Sequence, residues 1–335
     1  MKDLAIIILD WNGAEDTIEC LKGLNNFSLY DIYLLDNGSS DENVEKVRKF
    51  LESDEYKNRV SILALGAPMP ETRDITYLLS NQNLGFACGN NTVSQMISLS
   101  YKYVLLLNND TDVPSGTIEH MLQTAKARQC VAITCDIRIY YRKEELWNAG
   151  GYFTLIGERK YYSQKKIDAW ERQGVEYIDA DFITGCAMLL DTSYIRKEGL
   201  FTDLFFHGEE DFNLCKKLKK MNRKVGVDLK VRLYHKVGKT IERSSTSKEY
   251  NKMLVNYSNR VIDYKYFLTH TKWLVWRFIY LTLLFGKRVA SGMSVKDTRR
   301  LVRRIHNVSS NYDNVKKPVF DKLIKLDWDS EDFLR

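Results

Sequence analysis

Tyr103-Val104-Leu105-Leu106-Leu107-Asn108-Asn109-Asp110-Thr111-Asp112 changes character at one point. The apolar run Val104–Leu107 gives way to five polar residues, two of them acidic. A run apolar on nearly every residue reads as a strand buried on both faces, as in a parallel sheet covered by helices. The polar cluster then stands at the mouth of that strand. Outward from this stretch, Leu4–Leu9, Ile32–Leu35, Val60–Leu65 and Val131–Cys135 read as strands of the same kind. Helical patterns lie near Glu15–Leu24, Glu42–Leu51, Phe86–Ser100 and Gly116–Arg128. The alternation predicts an α/β chain with a doubly wound sheet, whose ligands bind beyond the carboxyl ends of the strands. After Cys135 the pattern loosens. Trp147–Gly151, Asp179–Leu190 and Leu200–Asp211 read as substrate loops, followed by helices near Asp211–Asn222, Lys248–Thr269, Lys272–Phe285 and Val295–His306.

Three acidic clusters fall where strands end. Asp36 closes the second strand and is followed by Asn37-Gly38-Ser39-Ser40-Asp41. A carboxylate there suits a ribose hydroxyl or a base N–H. Capping of the next helix is the alternative, and Asp41 serves that purpose at least as well. The Asn108–Asp112 cluster suits a hard divalent cation, which binds one or two carboxylates plus substrate phosphates. A turn rich in Asn and Asp has the same composition. Gly208-Glu209-Glu210-Asp211 opens a helix, where acids are favoured by the macrodipole. Three in a row exceed that need, and one fits a general base. His235 is either structural or a further metal ligand.

Composition sets wider bounds. With 335 residues and 44% apolar content, the chain predicts one α/β domain plus a helical extension. The expected boundaries are 1–245, divided into a nucleotide-binding half 1–112 and an acceptor half 113–245, and then 246–335. The six cysteines are scattered without a CxxC pair, which suggests reduced, buried thiols in a cytosolic protein. No basic region followed by a long apolar core opens the chain, so no signal peptide is expected. Lys+Arg outnumber Asp+Glu by 50 to 44. From Tyr264 to Arg304, however, ten basic residues meet one acid, Asp297, which suggests an anionic partner.

These segments, in this order, resemble the inverting family-2 glycosyltransferases with the GT-A fold, a Rossmann-like, mostly parallel sheet flanked by helices. Within that family they are most similar to the rhamnosyltransferase-like branch of bacterial surface-polysaccharide synthesis. Ile8-Leu9-Asp10-Trp11-Asn12-Gly13 resembles the opening strand and loop, and Asp36–Asp41 the nucleoside segment. Asn81-Gln82-Asn83-Leu84-Gly85-Phe86-Ala87-Cys88-Gly89-Asn90-Asn91 resembles the signature loop and helix start. Leu107–Thr111 stands at the DxD-like position. Glu210-Asp211 with Asn213-Leu214-Cys215 resembles the ED motif, and His235–Lys239 the late His loop. The resemblance spans roughly residues 4–265.

The resemblance implies a donor site of Asp10, Trp11, Asn12, Asp36, Asn37, Asn83, Gly85, Asn91, Asn109, Asp110, Trp147 and Gly150. It implies Mg²⁺ or Mn²⁺ on Asp110, completed by His235. Asp211 would be the catalytic base with Glu210 as its neighbour, either carboxylate being able to fill that role. Gly185, Cys186 and Glu209 would face the acceptor. The implied reaction moves a sugar from a nucleoside-diphosphate sugar (dTDP-rhamnose or a UDP-hexose) to a hydroxyl of a growing surface polysaccharide or a polyprenyl-linked glycan. Two departures stand out: Asn108 replaces the first DxD acid, and Asn213 replaces the last acid of ED-x-D.

Trp273–Phe285 is the most apolar stretch, 13 residues with Arg277 inside. Roughly 20 are needed to span a bilayer, so an interfacial helix is the expectation. With Arg299, Arg300, Arg303 and Arg304 following, residues 265–304 predict contact with an anionic membrane surface. A cytoplasmic protein peripheral on the inner face of the cell membrane is therefore expected. Packing on the catalytic domain or on a second subunit, as an oligomer, is the alternative. The basic block has its aromatics in one apolar run rather than interleaved, so no nucleic-acid partner is expected. The first-strand loop lacks a basic residue for phosphate, which argues against a nucleotidyltransferase. No Walker loop or GxGxxG occurs, against kinases and dehydrogenases. A catalytically silent nucleotide-sugar-binding subunit is the alternative from another class.

Overall fold

A computed structural model describes residues 2–69, 74–97, 100–237 and 246–330. The first half alternates strand and helix. It runs β1 (Leu4–Asp10), α1 (Ala14–Gly23), β2 (Tyr30–Asn37), α2 (Asp41–Leu51), β3 (Val60–Ala64), β4 (Ile75–Ser80), α3 (Gly85–Ile97) and β5 (Tyr103–Asn108). The second half continues with β6 (Thr111–Asp112), α4 (Thr117–Arg128), β7 (Ala132–Ile139), β8 (Arg142–Asn148), β9 (Gly151–Phe153) and β10 (Arg159–Tyr161). Then come α5 (Gln164–Arg172), β11 (Tyr177–Asp179), β12 (Ala187–Asp191), α6 (Thr192–Glu198), α7 (Glu210–Lys220) and β13 (Val225–His235). A helical block follows: α8 (Thr246–Asp263), a single 3₁₀ turn at Tyr264–Tyr266, α9 (His270–Ala290), α10 (Val295–Asn311) and α11 (Lys317–Ile324).

Eleven of these strands form one mixed sheet with the order β11-β13-β7-β12-β5-β1-β2-β4-β3; β6 pairs with β13 and β8 with β7. Strands β1, β2, β3, β4 and β5 are mutually parallel where they pair. Leu4, Ile6, Ile8, Ile32 and Leu34 pack on one face, while Ala5, Ile7, Leu35 and Leu106 pack on the other. Burial of both faces is why these strands read as continuous apolar runs.

Strands β4, β6 and β8 to β13 were not expected, and two of them reshape the sheet. Ile75–Ser80 joins the parallel half beside β2, its apolar run broken by Thr76 and Tyr77. The stretch Asp179–Leu190, read as loop, instead supplies β12, which is wedged antiparallel between β5 and β7. This insertion turns a parallel sheet into a mixed one and places Gly185 and Cys186 directly before a central strand.

The helical block has its own core, which includes Leu254, Ile262, Trp273, Tyr280, Leu301 and Ile305, with Phe205 reaching in from the α/β layer. It is stitched to that layer by backbone bonds. Val315 N–H donates to Leu204 at 2.7 Å, and Phe206 N–H donates to Val315 at 2.9 Å. Among the described residues, no helix is long and apolar enough to cross a membrane. Helix α9 buries Trp273, Arg277, Tyr280 and Leu284 and exposes Leu274, Val275, Phe278 and Ile279. Arg277, which interrupts the apolar run in sequence, faces inward. It stacks on Trp273 and donates to Ser310 at 2.8 Å.

Candidate active site

The carboxyl ends of β1, β2 and β5 meet in register, Asp10 opposite Asp36 and Leu9 opposite Asn108. A cleft of about 690 Å³ opens there, with Asp10, Trp11, Asn37, Asn83, Asn109 and Asp110 on the sheet side. That size suits a small-molecule ligand.

Two loops of this cleft are clasped together. Asn12 N–H donates to Ser39 Oγ at 2.9 Å, and Ser40 N–H donates to Asn12 Oδ1 at 2.9 Å. Asn12 sits in the left-handed region at φ 54°, a conformation Asn tolerates better than most residues. Asp10 lies beneath this clasp and is fully buried. Its carboxylate accepts from Gly13 N–H and Asn43 Nδ2, both at 2.9 Å, and so holds the loop together. Burial, the Asp36 charge adding to it, raises its pKa. Trp11 is left 60% exposed at the rim.

Asp36 is arranged differently. Oδ1 accepts from Gly38 and Ser39 N–H, closing a turn, while Oδ2 is buried without a hydrogen-bond partner. Helix α2 is capped by Ser40, not Asp41. An orphaned carboxylate oxygen is costly, and a ligand donor would satisfy it. Asn37 organises the neighbouring loop. It accepts from Leu84 N–H at 2.9 Å and donates to Asn83 and Gly85, both at 3.3 Å. Gly85, at φ +80°, brings its backbone against Phe206, where a Cβ would lie 2.3 Å from the carbonyl oxygen. Asn91 does not face this cleft. Both ends of its amide engage the Phe201 backbone at 2.9 Å, and Asn90 takes the wall position.

At the other end of the cleft, β13 pairs with β6 so that His235 lies opposite Thr111. This brings a distant histidine to the acidic turn: His235 Nε2 is 2.9 Å from Asp110 Oδ1. Asp110 Oδ1 and His235 Nδ1 are nevertheless buried without hydrogen-bond partners. The Trp147 ring stands edge-on to the imidazole, centroids 4.3 Å apart, and fixes its plane. Asn109 donates to Thr17 at 2.8 Å and to Asp10 at 3.3 Å, turning its side chain away from this pair. Among the described residues, no three His, Cys, Asp or Glu side chains form a closed metal cage. A carboxylate and an imidazole with unspent lone pairs fit an open cation site, which leaves the remaining positions to phosphate oxygens and water. Gly238 and Lys239 of the His loop lie outside the described residues.

The third acidic cluster divides into two kinds of carboxylate. Glu209, expected at the acceptor, is enclosed instead. One oxygen is ion-paired to Arg159, and the other accepts from Lys216 at 3.1 Å. Lys216 also pairs with Asp263 of α8, and Asn213 donates to the same carboxylate at 2.5 Å. An acid at position 213 would face Asp263, which gives a reason for the Asn there. Burial alone would raise the Glu209 pKa, but Arg159, Lys216 and Arg260 outweigh it and hold it at about 2. Glu209 adopts φ 86°, rare for a residue with a Cβ, and these ion pairs anchor it.

Glu210 and Asp211 follow without such partners. Burial pushes both up to about 7, with the neighbouring carboxylates adding to the effect. Glu210 Oε2 has no hydrogen-bond partner. Asp211 accepts from Phe212 N–H at 2.8 Å and from Gly185 N–H at 3.3 Å. Gly185 therefore orients the carboxylate, and a Cβ there would press on Phe86 at 3.1 Å. Cys186 is buried, and its carbonyl accepts from Asn108 N–H at 2.8 Å. Gly150, at φ +72°, lies against the Phe182 carbonyl. A carboxylate that titrates near neutrality is suited to accept a proton from a hydroxyl.

Sequence reasoning missed Arg159, Lys216 and Asp263, which are joined only through tertiary structure. It also missed the far wall of the cleft, formed by Phe206 together with Lys317, Phe320 and Lys325 of α11 and its end.

The description "Glycosyl transferase family 2" matches residues 5–197. A solved structure, the mannosyltransferase PcManGT from Pyrobaculum calidifontis in complex with GDP-Man and Mn²⁺, is similar in fold at a TM-score of 0.52. The two share 12% sequence identity over 93% of this chain and 86% of that chain. No curated protein matches the sequence.

Proposed function

This chain belongs to glycosyl transferase family 2, and from that premise we propose that it is a metal-dependent, inverting transferase of the rhamnosyltransferase-like branch. Its donor is a nucleoside-diphosphate sugar, dTDP-rhamnose or a UDP-hexose, and its acceptor a hydroxyl of a surface polysaccharide or polyprenyl-linked glycan. The observation that carries this reading is the Asp110–His235 pair, two converging groups with buried, unpartnered atoms at the mouth of β5.

In this mechanism Asp36 Oδ2 accepts from the nucleoside, and the Asn37–Asn83 loop shapes its pocket. Asp110 and His235 would hold Mg²⁺ or Mn²⁺, which would supply Lewis-acid neutralisation of charge on the leaving diphosphate. Asp211, held by Gly185 and Phe212 N–H, takes the proton from the acceptor hydroxyl as that oxygen attacks the anomeric carbon. One displacement inverts the configuration. Glu210 keeps its neighbour's pKa raised, and fixed positions for both substrates supply much of the rate.

Residues 265–304 of the helical block are proposed to lie against the inner face of the cell membrane. Supporting this, Phe278 is 74% exposed beside Leu274, and Arg299 and Arg303 border the same apolar groove between α9 and α10. Two other basic residues of the block are turned elsewhere: Arg277 is buried, and Arg300 pairs with Asp329 at 3.0 Å.

The test is a thermal-shift screen with UDP-, dTDP- and GDP-sugars, with and without Mn²⁺. Metal-dependent stabilisation by one nucleotide family supports the reading and identifies the donor class; GDP is included because the similar structure holds GDP-Man. Folded protein that responds to none of them would abandon it in favour of a catalytically silent subunit.

A further inference from the structure

The cleft described above has an imbalance of charge. Asp10 and Asp110 lie in its lining on the sheet side, and Asp321 lies on the opposite wall. Among the described lining residues, none contributed by the first 112 residues is a lysine or arginine. A diphosphate brought to the sheet side would meet Asp10 and Asp110, relieved on that side only by a cation at Asp110. The lining does hold two lysines, Lys317 and Lys325, and both come from α11 and its end.

This wall is fixed in place. The backbone of Val315 is bonded on both sides, to Leu204 at 2.7 Å and to Phe206 at 2.9 Å. Phe320 packs on Phe206 with ring centroids 5.0 Å apart, and Phe206 in turn touches Gly85 of the nucleotide-side loop. Lys317 Nζ lies 5.0 Å from the centroid of the Phe206 ring and donates to Asp321 at 3.1 Å. That pairing is half-exposed and weak, so a phosphate oxygen can compete for the same ammonium. Lysine is well suited to phosphate as a mobile point charge with three donors.

We infer that α11 is the second wall of the nucleotide site, and that Lys317 and Lys325 bind the anionic oxygens of the donor's nucleoside diphosphate across the cleft from Asp110. The inference rests on the nucleotide-sugar reading above. It assigns a ligand-binding role to a segment beyond the matched family region, residues 5–197. It also gives the helical block a role in the site apart from any membrane contact.

The test is calorimetric binding of UDP, dTDP and GDP in the presence of Mn²⁺, to wild type and to a Lys317→Ala/Lys325→Ala double variant. The corresponding nucleosides serve as uncharged probes. For the diphosphate that wild type prefers, affinity should fall on the order of tenfold per lysine removed, with nucleoside binding unchanged. Lys317→Arg/Lys325→Arg should retain most of the affinity. Lys316→Ala serves as the control, because Lys316 pairs with Asp203 at 2.7 Å outside this lining. Diphosphate affinity within about twofold of wild type in the alanine variant overturns the inference and leaves the nucleotide-sugar reading standing. So does an equal loss for nucleoside and diphosphate, which indicates a collapsed wall rather than lost charge. Wild type that binds none of the three diphosphates overturns both.

Discussion

His235 approaches Asp110 to 2.9 Å, yet Asp110 Oδ1 has no aligned hydrogen-bond donor and His235 Nδ1 has no partner. Two polar groups brought together by β13 and β6, and left with unspent lone pairs, are a costly arrangement unless something joins them. Asp110→Ala should therefore abolish the Mn²⁺-dependent part of nucleoside-diphosphate stabilisation in a thermal-shift assay. His235→Ala should weaken Mn²⁺ binding by at least about tenfold. A Mn²⁺ response unchanged in both variants removes the pair as a cation site.

Asp211→Asn should leave donor affinity intact while turnover falls by about 10²- to 10⁴-fold, the usual contribution of a general base. Glu210→Gln should fall less. Single-turnover transfer to a soluble acceptor measures both, and a larger loss in the Glu210 variant reverses the two assignments.

The pH dependence of activity and of stability should have opposite signs. A base held at about 7 must be deprotonated to act, so kcat/KM should rise through about pH 7. Stability moves the other way, because Glu210 and Asp211 are easier to protonate folded than unfolded. Their contribution is complete below the unfolded carboxylate range and is lost as pH rises towards and through about 7. Tm should therefore fall from pH 5 to 8, and Asp211→Asn should remove part of that fall. Glu209, held at about 2, loses its contribution progressively as pH falls from the unfolded carboxylate range towards about 2, below this window.

Lys216 joins Glu209 to Asp263 and is itself buried. Lys216→Met strands Asp263 with only the Asn213 amide, and breaking such a buried pair costs about 3–5 kcal/mol. Urea unfolding should show that loss. A change below about 1 kcal/mol, the range of exposed pairs, would mean that the network is solvated.

The parallel half of the sheet was legible because Leu4–Asp10 and Tyr103–Asn108 are apolar at nearly every position, a pattern imposed by helices on both faces. Ile75–Ser80 was not, since Thr76 and Tyr77 interrupt the run although both are buried. β12 was hidden by the Gly and aromatic residues before it. Asp36, Asp110 and Asp211 could be found because acids at strand ends and at a helix start stand out locally. What could not be found was the distinction among Glu209, Glu210 and Asp211, three adjacent acids with the same local pattern. That distinction depends on Arg159 and on Lys216 with Asp263, which the fold brings to Glu209 alone. Likewise nothing in Lys317–Ile324 marks it as a cleft wall, because its place follows from tertiary contacts: the bridge between Val315 and Phe205, Phe320 on Phe206, and Asn251 of α8 on the Ile324 carbonyl.

That bridge joins positions far apart in the chain, and contacts of this kind are entropically demanding and tend to form late in folding. Every strand of the sheet lies upstream of Val315. A molecule can therefore complete its sheet, and give the circular dichroism of a native protein, while one side of the nucleotide cleft is still open. Protease nicking between α10 and α11 would do the same to a mature molecule. On the proposed nucleotide reading, the fraction folded and the fraction competent to bind should be counted separately, the second by active-site titration.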